Sequence, residues 1–375
     1  MACVRRAIVF VCSFFLFSSL AAAQDVAGTP QPGTQAHTKQ VEQVNGGTVG
    51  IITGSITGTY SRIATDLSAV LDKGNELRIL PIIGKGSVQN ITDILYLRGV
   101  DVGIVQSDVL RYVSENGTYP DIGSRIAYIT KLYNEEIHVL ARAEVKSLED
   151  LRGKKVNFAN EGSGTYMTAS VVFGKLGIEV EITTFDYELA LEKLKKGEID
   201  ALFYVAGKPA PIFTAIKAEE GLHLLSVELT PALAETYLPG EFSASDYPGL
   251  IQPHAAVQTI SVGAVMAVFN WRKGNGRYFK LKRFVEAFFG QFDEFLKAPR
   301  HPKWQEVNLA AEVPGWRRFE PARSWLAAHE SEAADQQVSE FKTFLSTSSG
   351  AAALSVEDQE ELFKRFLKWR ETRTQ

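Results

Sequence analysis

From Thr48 onward the chain repeats one unit: a short apolar run, a loop of glycines and hydroxyl residues, then apolar residues at helical spacing. Val49, Gly50, Ile51 and Ile52 open the series, and Ile63, Leu67, Val70 and Leu71 mark a helix over 60–71. A strand over 77–82, a helix over 87–98 and a strand over 102–105 follow, the last ending at Gln106-Ser107-Asp108. Alternation of this kind points to a largely parallel sheet covered by helices on both faces. The rhythm restarts at Ile137-His138-Val139-Leu140. A capped turn over 147–151 closes at Gly153, and strands over 156–159, 181–185 and 201–205 alternate with helices ending at Leu176 and Lys196. The two halves therefore read as similar α/β lobes. Ser261 to Phe269 is apolar enough to re-enter a sheet, and a Phe-rich amphipathic helix is expected over 279–296.

Both ends differ from this grammar. Arg5 and Arg6 precede an apolar run from Ala7 to Leu20, and Ala21-Ala22-Ala23 supplies a small-residue cleavage site, so residues 1–23 read as an export signal. The run is shorter than the ~20 residues that a bilayer span needs. Cleavage after Ala23 removes Cys3 and Cys12, leaving a mature chain without thiols, as suits an oxidising compartment. It also moves the net charge from −4 to −6, which gives no positive field for nucleic acid or anionic lipid. Residues 24–47 are rich in Gln, Thr, Gly, Pro and Ala and read as a flexible leader. The expected layout is one lobe from 48–138 and 252–298, a second from 139–251, and an extension over 299–375 packed on a lobe. That extension carries Trp304, Trp316 and Trp325 and ends in a charged helix over 354–369.

Three loops share a device that bears on chemistry. Ser55-Ile56-Thr57-Gly58-Thr59-Tyr60, Gly84-Lys85-Gly86-Ser87 and Gly162-Ser163-Gly164-Thr165-Tyr166 each join a strand to a helix. Free amides at a helix start, with the positive end of the dipole, attract an anion, and glycines let a ligand come close. The competing reading is that these Ser and Thr only cap their helices. Three such loops at the carboxyl edge of a sheet favour a ligand, because that edge is where α/β sheets bind. Gln106-Ser107-Asp108 is a fourth candidate, with Asp108 either a cap or an acceptor for a ligand amine. Tyr60, Tyr166 and Tyr204 offer apolar walls with polar tips, or plain core packing.

Rival chemistries lack their residues. The first loop has no P-loop Lys, and the second has Gln89 where a dinucleotide fingerprint needs Gly. There is no G-x-S-x-G, and the S-x-x-K at Ser339 and Lys342 has no partner motifs. The six histidines show no metal-ligand spacing. The expectation is a protein that is not an enzyme and holds no metal or cofactor.

The stretch from Gly47 to Tyr60 resembles the opening of the TAXI family, the solute receptors of tripartite ATP-independent periplasmic (TRAP) transporters. Gly86-Ser87-Val88-Gln89-Asn90-Ile91, Asp101 to Asp108, Ser147 to Val156, Gly162 to Thr165 and Ala201 to Pro209 follow in that family's order. The resemblance implies a two-lobed, type II-like periplasmic binding protein, each lobe a mainly parallel sheet flanked by helices, hinged around a central cleft. By family position the ligand shell comprises Ser55, Thr57, Gly58, Thr59, Tyr60, Ser87, Asn90, Gln106, Ser107 and Asp108. Ser163, Gly164, Thr165, Tyr166, Tyr204 and Gly207 face them from the second lobe. The implied function is capture of a small organic anion, a glutamate- or glutamine-like amino acid or a dicarboxylate, by a monomeric periplasmic receptor. Its partner would be a TRAP permease. Presentation to a sensor kinase or an ATP-driven importer would use the same lobes, and a periplasmic hydrolase has least support.

Overall fold

A computed structural model of the chain describes residues 30–74 and 76–330. The export signal, both cysteines and the helix expected over 354–369 lie outside the described residues. The residues up to Asn45 form a unit of their own. Within the stretch read as a flexible leader, the structure has a helix, α1 (Gln35–Gly47). Thr34 starts it by accepting the His37 amide at 3.2 Å, and the residues after it include good helix formers and no proline. Composition alone hid this, because the segment is polar on nearly every face.

The remaining elements alternate as the chain pattern dictates. The first lobe begins with β1 (Thr48–Ile52), α2 (Thr59–Leu71), β2 (Arg78–Ile82), α3 (Ser87–Tyr96), β3 (Val102–Gln106), α4 (Val109–Glu115) and α5 (Ile122–Arg125). A strand of 17 residues, β4 (Ile126–Arg142), then runs out of it. The second lobe holds β5 (Lys155–Asn157), α6 (Gly164–Leu176), β6 (Glu181–Thr183), α7 (Tyr187–Lys196) and β7 (Ala201–Ala206). Next come α8 (Pro211–Thr214), β8 (Leu222–Leu224), α9 (Pro231–Ala234) and β9 (Leu238–Ser243). The chain returns along β10 (Ala256–Phe269) into α10 (Gly276–Gly290). A separate 3-10 turn, Phe292–Leu296, occupies the end of the helix expected over 279–296.

The strand order is β2-β1-β3-β10-β4-β7-β5-β6, with β8 beside β4 and β9 beside β10. Each lobe thus has three parallel strands, β1 with β2 and β3, and β5 with β6 and β7. The antiparallel pair β4 and β10 joins the lobes, its ladder running from Ser261 opposite Glu136 to Phe269 opposite Ile126. Leu132, Tyr133 and Ala264 pack in the first core, while Ile137, Ile260 and Val262 pack in the second. The two strands pass from one core to the other near 134–136 and 263. A strand that stays hydrogen-bonded through both lobes leaves no break in composition to mark where it changes core.

The first lobe buries Ile51, Ile63, Leu67, Phe284 and Phe288 on one sheet face, and Ile91, Val105, Val109 and Val113 on the other. Full burial of each such side chain contributes about 1.5–3 kcal/mol. The stretch after Pro299 adds to the same cores. Trp304 is fully buried among Phe288, Phe292 and Phe295, and its indole N–H donates to Asp66 at 2.9 Å. The Trp316 indole donates to the Ser107 carbonyl at 2.7 Å, and the Phe319 amide to the Tyr128 carbonyl at 2.7 Å. No helix among the described residues is long and apolar enough to cross a membrane.

Candidate functional site

A cavity of about 230 Å³ lies between the lobes, room for roughly eight waters at ~30 Å³ each, and so for one small metabolite. The first lobe lines it with Gly54, Ser55, Gly58, Thr59 and Tyr60, then Gly84-Lys85-Gly86, Gln106 and Glu135. The second contributes Ala159, Asn160, Ser163, Gly164 and Thr165, then Asp186-Tyr187-Glu188, and Tyr204 with Val205 and Ala206. Every one of these loops ends a strand and starts a helix, or belongs to a strand crossing the cleft.

Four helices start at this wall. Those of α2 and α3 begin after Gly58 and Gly86, neither of which has a side chain to cap the first-turn amides. Gly86 sits at φ 108°, a left-handed conformation that glycine adopts without strain. Ser163 caps α6 by accepting the Tyr166 amide at 3.0 Å, and Asp186 caps α7 by accepting the Leu189 amide at 3.0 Å. Capping and ligand contact thus divide between loops. The second lobe caps with side chains; the first does not, and of the α3 first-turn amides that of Gln89 is taken by the Gly162 carbonyl at 3.0 Å.

Of the residues expected in the ligand shell, Ser55, Gly58, Thr59, Tyr60, Gln106, Ser163, Gly164, Thr165 and Tyr204 line the cavity. The others do different work. Thr57 is exposed at the loop tip. Ser87 stands behind the wall, accepting the Gln106 amide at 2.9 Å and so fixing that residue. Asn90 donates to the Thr53 and Ile104 carbonyls at 2.9 and 2.8 Å, tying the ends of β1 and β3 together. The Ser107 amide donates to the Gly263 carbonyl at 2.7 Å, within the sheet. Asp108 starts α4 and accepts from the Tyr237 hydroxyl at 3.5 Å, and burial pushes its carboxyl up to about 7. Tyr166 packs edge-on against Phe158 in the second core. Gly207 offers only its carbonyl, to the Thr59 hydroxyl at 3.3 Å. These seven sit next to cavity residues in sequence, and strand and helix geometry turns them away from the cavity.

The lobes touch around the cavity. The Gln89 amide donates to the Gly162 carbonyl at 3.0 Å, and Thr168 donates to the Gln106 side chain at 3.3 Å. A Cβ at Gly164 would come within 2.6 Å of the Ser87 hydroxyl and closer still to the Gln106 amide oxygen, so only glycine permits this approach.

The pattern of loops included Lys85 without placing it in the ligand shell, and it missed Asn160, Asp186, Tyr187, Glu188 and above all Glu135. Tyr187 donates to the Thr165 hydroxyl at 2.8 Å and meets the Tyr204 ring edge-on at 4.2 Å between centroids, forming an aromatic wall. Glu135 is 3 % exposed and lies where β4 leaves the first lobe. It accepts from the Tyr60 hydroxyl at 2.6 Å. Burial pushes its carboxyl up to about 8, against the lowering effect of that hydrogen bond, and also pushes the Tyr60 phenol well above its ordinary value. The signal for Glu135 was a pair of carboxylates, Glu135-Glu136, between two apolar runs of one strand. Among the described residues no group of His, Cys, Asp and Glu is placed to hold a metal ion.

Comparison with known proteins places this geometry. The sequence model of the NMT1-like family matches residues 51–271, more than half of the chain and all of the cavity wall. Similar solved structures include the periplasmic binding protein BugD, at 12 % identity and TM-score 0.45, covering 79 % of this chain and 97 % of that one. The alkanesulfonate-binding protein SsuA from Xanthomonas axonopodis pv. citri, bound to MOPS, has 15 % identity and TM-score 0.42, covering 75 % and 83 %. An ancestral arginine-binding protein bound to arginine has 16 % identity and TM-score 0.39, covering 66 % and 95 %. Likeness at this level says nothing of what this chain binds.

Proposed function

This chain belongs to the NMT1-like family, and we propose that it is an exported, periplasmic solute-binding receptor that closes on a small organic anion. The observation that carries the reading is the starts of α2 and α3, which no side chain caps, at the wall of a cavity between two lobes that β4 and β10 join. A carboxylate there takes main-chain N–H bonds and the favourable end of two helix dipoles without an arginine clamp. Ligand touching both lobes favours the closed form, since only differential affinity moves such an equilibrium. The ordered motifs from Gly47 to Pro209 support assignment to the TAXI receptors, and with it delivery by a monomer to a TRAP-type permease. The wall holds no nucleophile with an adjacent base and oxyanion donors, which supports binding over turnover.

Thermal denaturation with a panel of amino acids, dicarboxylates and neutral sugars tests this reading. A ligand that binds only the folded state raises Tm. Carboxylated solutes are expected to do so, and a shift with sugars alone would overturn the proposal.

A further inference from the structure

The cavity wall carries acid as well as helix starts. The crossing strand brings Glu135 to the wall, where Tyr60 of α2 meets it, and the start of α7 adds Asp186 and Glu188. Among the described residues the Glu135 carboxyl has one hydrogen-bonding side chain, Tyr60, on one of its two oxygens. A buried carboxyl with acceptor capacity left over is costly unless a donor arrives. A ligand ammonium supplies such a donor.

We propose that Glu135 is the specificity-determining residue of the cleft, accepting a hydrogen bond from a cationic amine of the ligand and so selecting amino-carboxylates over dicarboxylates of the same length. This rests on the reading that the cleft binds a carboxylated solute, and it adds the residue that discriminates within that class. The groups around Glu135 agree with one unpaired acidic pole. Tyr60 on α2, Tyr133 on β4, and Tyr187 and Tyr204 from the second lobe bring phenols, and Glu188 and Asp108 bring further acid. Glu136 points away from the cavity. It is engaged by Lys303 at 2.6 Å, and the Lys303 ammonium is also held by Glu306 at 2.7 Å; the Lys303 charge still reaches Glu135 and lowers its carboxyl, against the burial that raises it. Lys85 lines the cavity from the loop before α3.

The consequence is a proton balance of definite sign. With its carboxyl near 8, Glu135 holds its proton in about nine-tenths of molecules at pH 7. An ammonium placed against it favours the ionised form and drives that proton into solution. A carboxylate placed there keeps the proton on and releases none.

The test is titration calorimetry at pH 7 in two buffers of different ionisation enthalpy, using matched pairs: L-glutamate with glutarate, L-aspartate with succinate. The amine-bearing member of a pair is expected to bind about ten- to a hundred-fold more tightly, the range of one charge-assisted hydrogen bond. Its binding should release more than half a proton. Glu135→Gln, which keeps an acceptor for Tyr60, should abolish the release and cut the preference at least tenfold while unfolding cooperatively, with a melt at pH 7 no lower than that of the wild type. Equal or tighter binding of glutarate and succinate, or binding of the amino acids without proton release, overturns the inference and leaves the receptor reading intact. Binding of neither class of carboxylate overturns both.

Discussion

Gly164→Ala isolates closure from folding. Gly164 opens α6 on the second lobe, and its backbone meets Ser87 and Gln106 of the first. An added methyl would sit 2.6 Å from the Ser87 oxygen and 2.7 Å from the Gln106 amide carbon, where ordinary contact begins near 3.4 Å. Both atoms are held, Ser87 by the Gln106 amide and the Gln106 side chain by Thr168, so neither can yield without breaking a bond. Overpacking of this kind costs about 1–3 kcal/mol. The clash exists only when the lobes meet, so it should appear as about a 5- to 150-fold loss of the closed population and of affinity. The ligand-free melt should be unchanged or slightly higher, because alanine is the better helix residue by up to ~1 kcal/mol. Both cysteines, Cys3 and Cys12, precede residue 24, so in protein produced from Gln24 onward spin labels at Arg98→Cys and Lys196→Cys report the distance between lobes cleanly. Calorimetry with L-glutamate gives the affinity. A closed-distance population equal to wild type, with Kd within twofold, would refute the argument.

Four further outcomes follow from the same geometry. Thr59→Ala removes the bond to the Gly207 carbonyl across the cleft, and Thr165→Ala releases Tyr187. Each should weaken L-glutamate binding about fivefold, or ~1 kcal/mol, in calorimetry; Thr59→Ala should keep the wild-type Tm, Thr165→Ala should lower it because the buried Val205 amide also loses its acceptor, and unchanged affinity in both would leave these residues as caps. Folded Glu135 keeps its proton to about 8, whereas the unfolded carboxyl loses it near 4.5, so its share of stability is full below 4.5 and is lost as pH rises through 8. Relative to Glu135→Gln, the wild type should lose about 1.4 kcal/mol per pH unit between roughly 5 and 7.5 in urea melts, and parallel curves would reject this. Lys303→Met should cost about 3–5 kcal/mol, because it strands Glu136, which then has only the Lys208 amide at 2.9 Å. Urea denaturation checks it, with most of the loss recovered in Lys303→Met/Glu136→Gln, and a loss under ~1 kcal/mol would contradict it.

The alternation from Thr48 to Ala206 was legible because strand and helix periods are local. Ile63, Leu67 and Leu71 repeat at helical spacing wherever they end up, and all three are buried as that spacing requires. The loops carrying Ser55, Gly58, Thr59, Ser163, Gly164 and Thr165 were legible for the same reason, since glycines and hydroxyls between a strand and a helix mark a backbone turn. Which members of those loops face the cavity was not. Ser87 and Asn90 share a loop and helix start with Gly86, and a rotation of about 100° per residue sends them inward to Gln106, Thr53 and Ile104.

By itself, then, the amino-acid order determined the alternating α/β architecture, the grouping into two lobes and the amide-rich loops, because each depends on neighbours a few residues apart. Tertiary structure decided where β4 and β10 change cores, how Lys303 comes to hold Glu136, and that Glu135 joins the helix starts in the wall of one cavity. Those are meetings of residues from distant parts of the chain. Their energetics come from burial, which strips water from a carboxyl and raises its proton affinity, and burial is a property no local pattern contains.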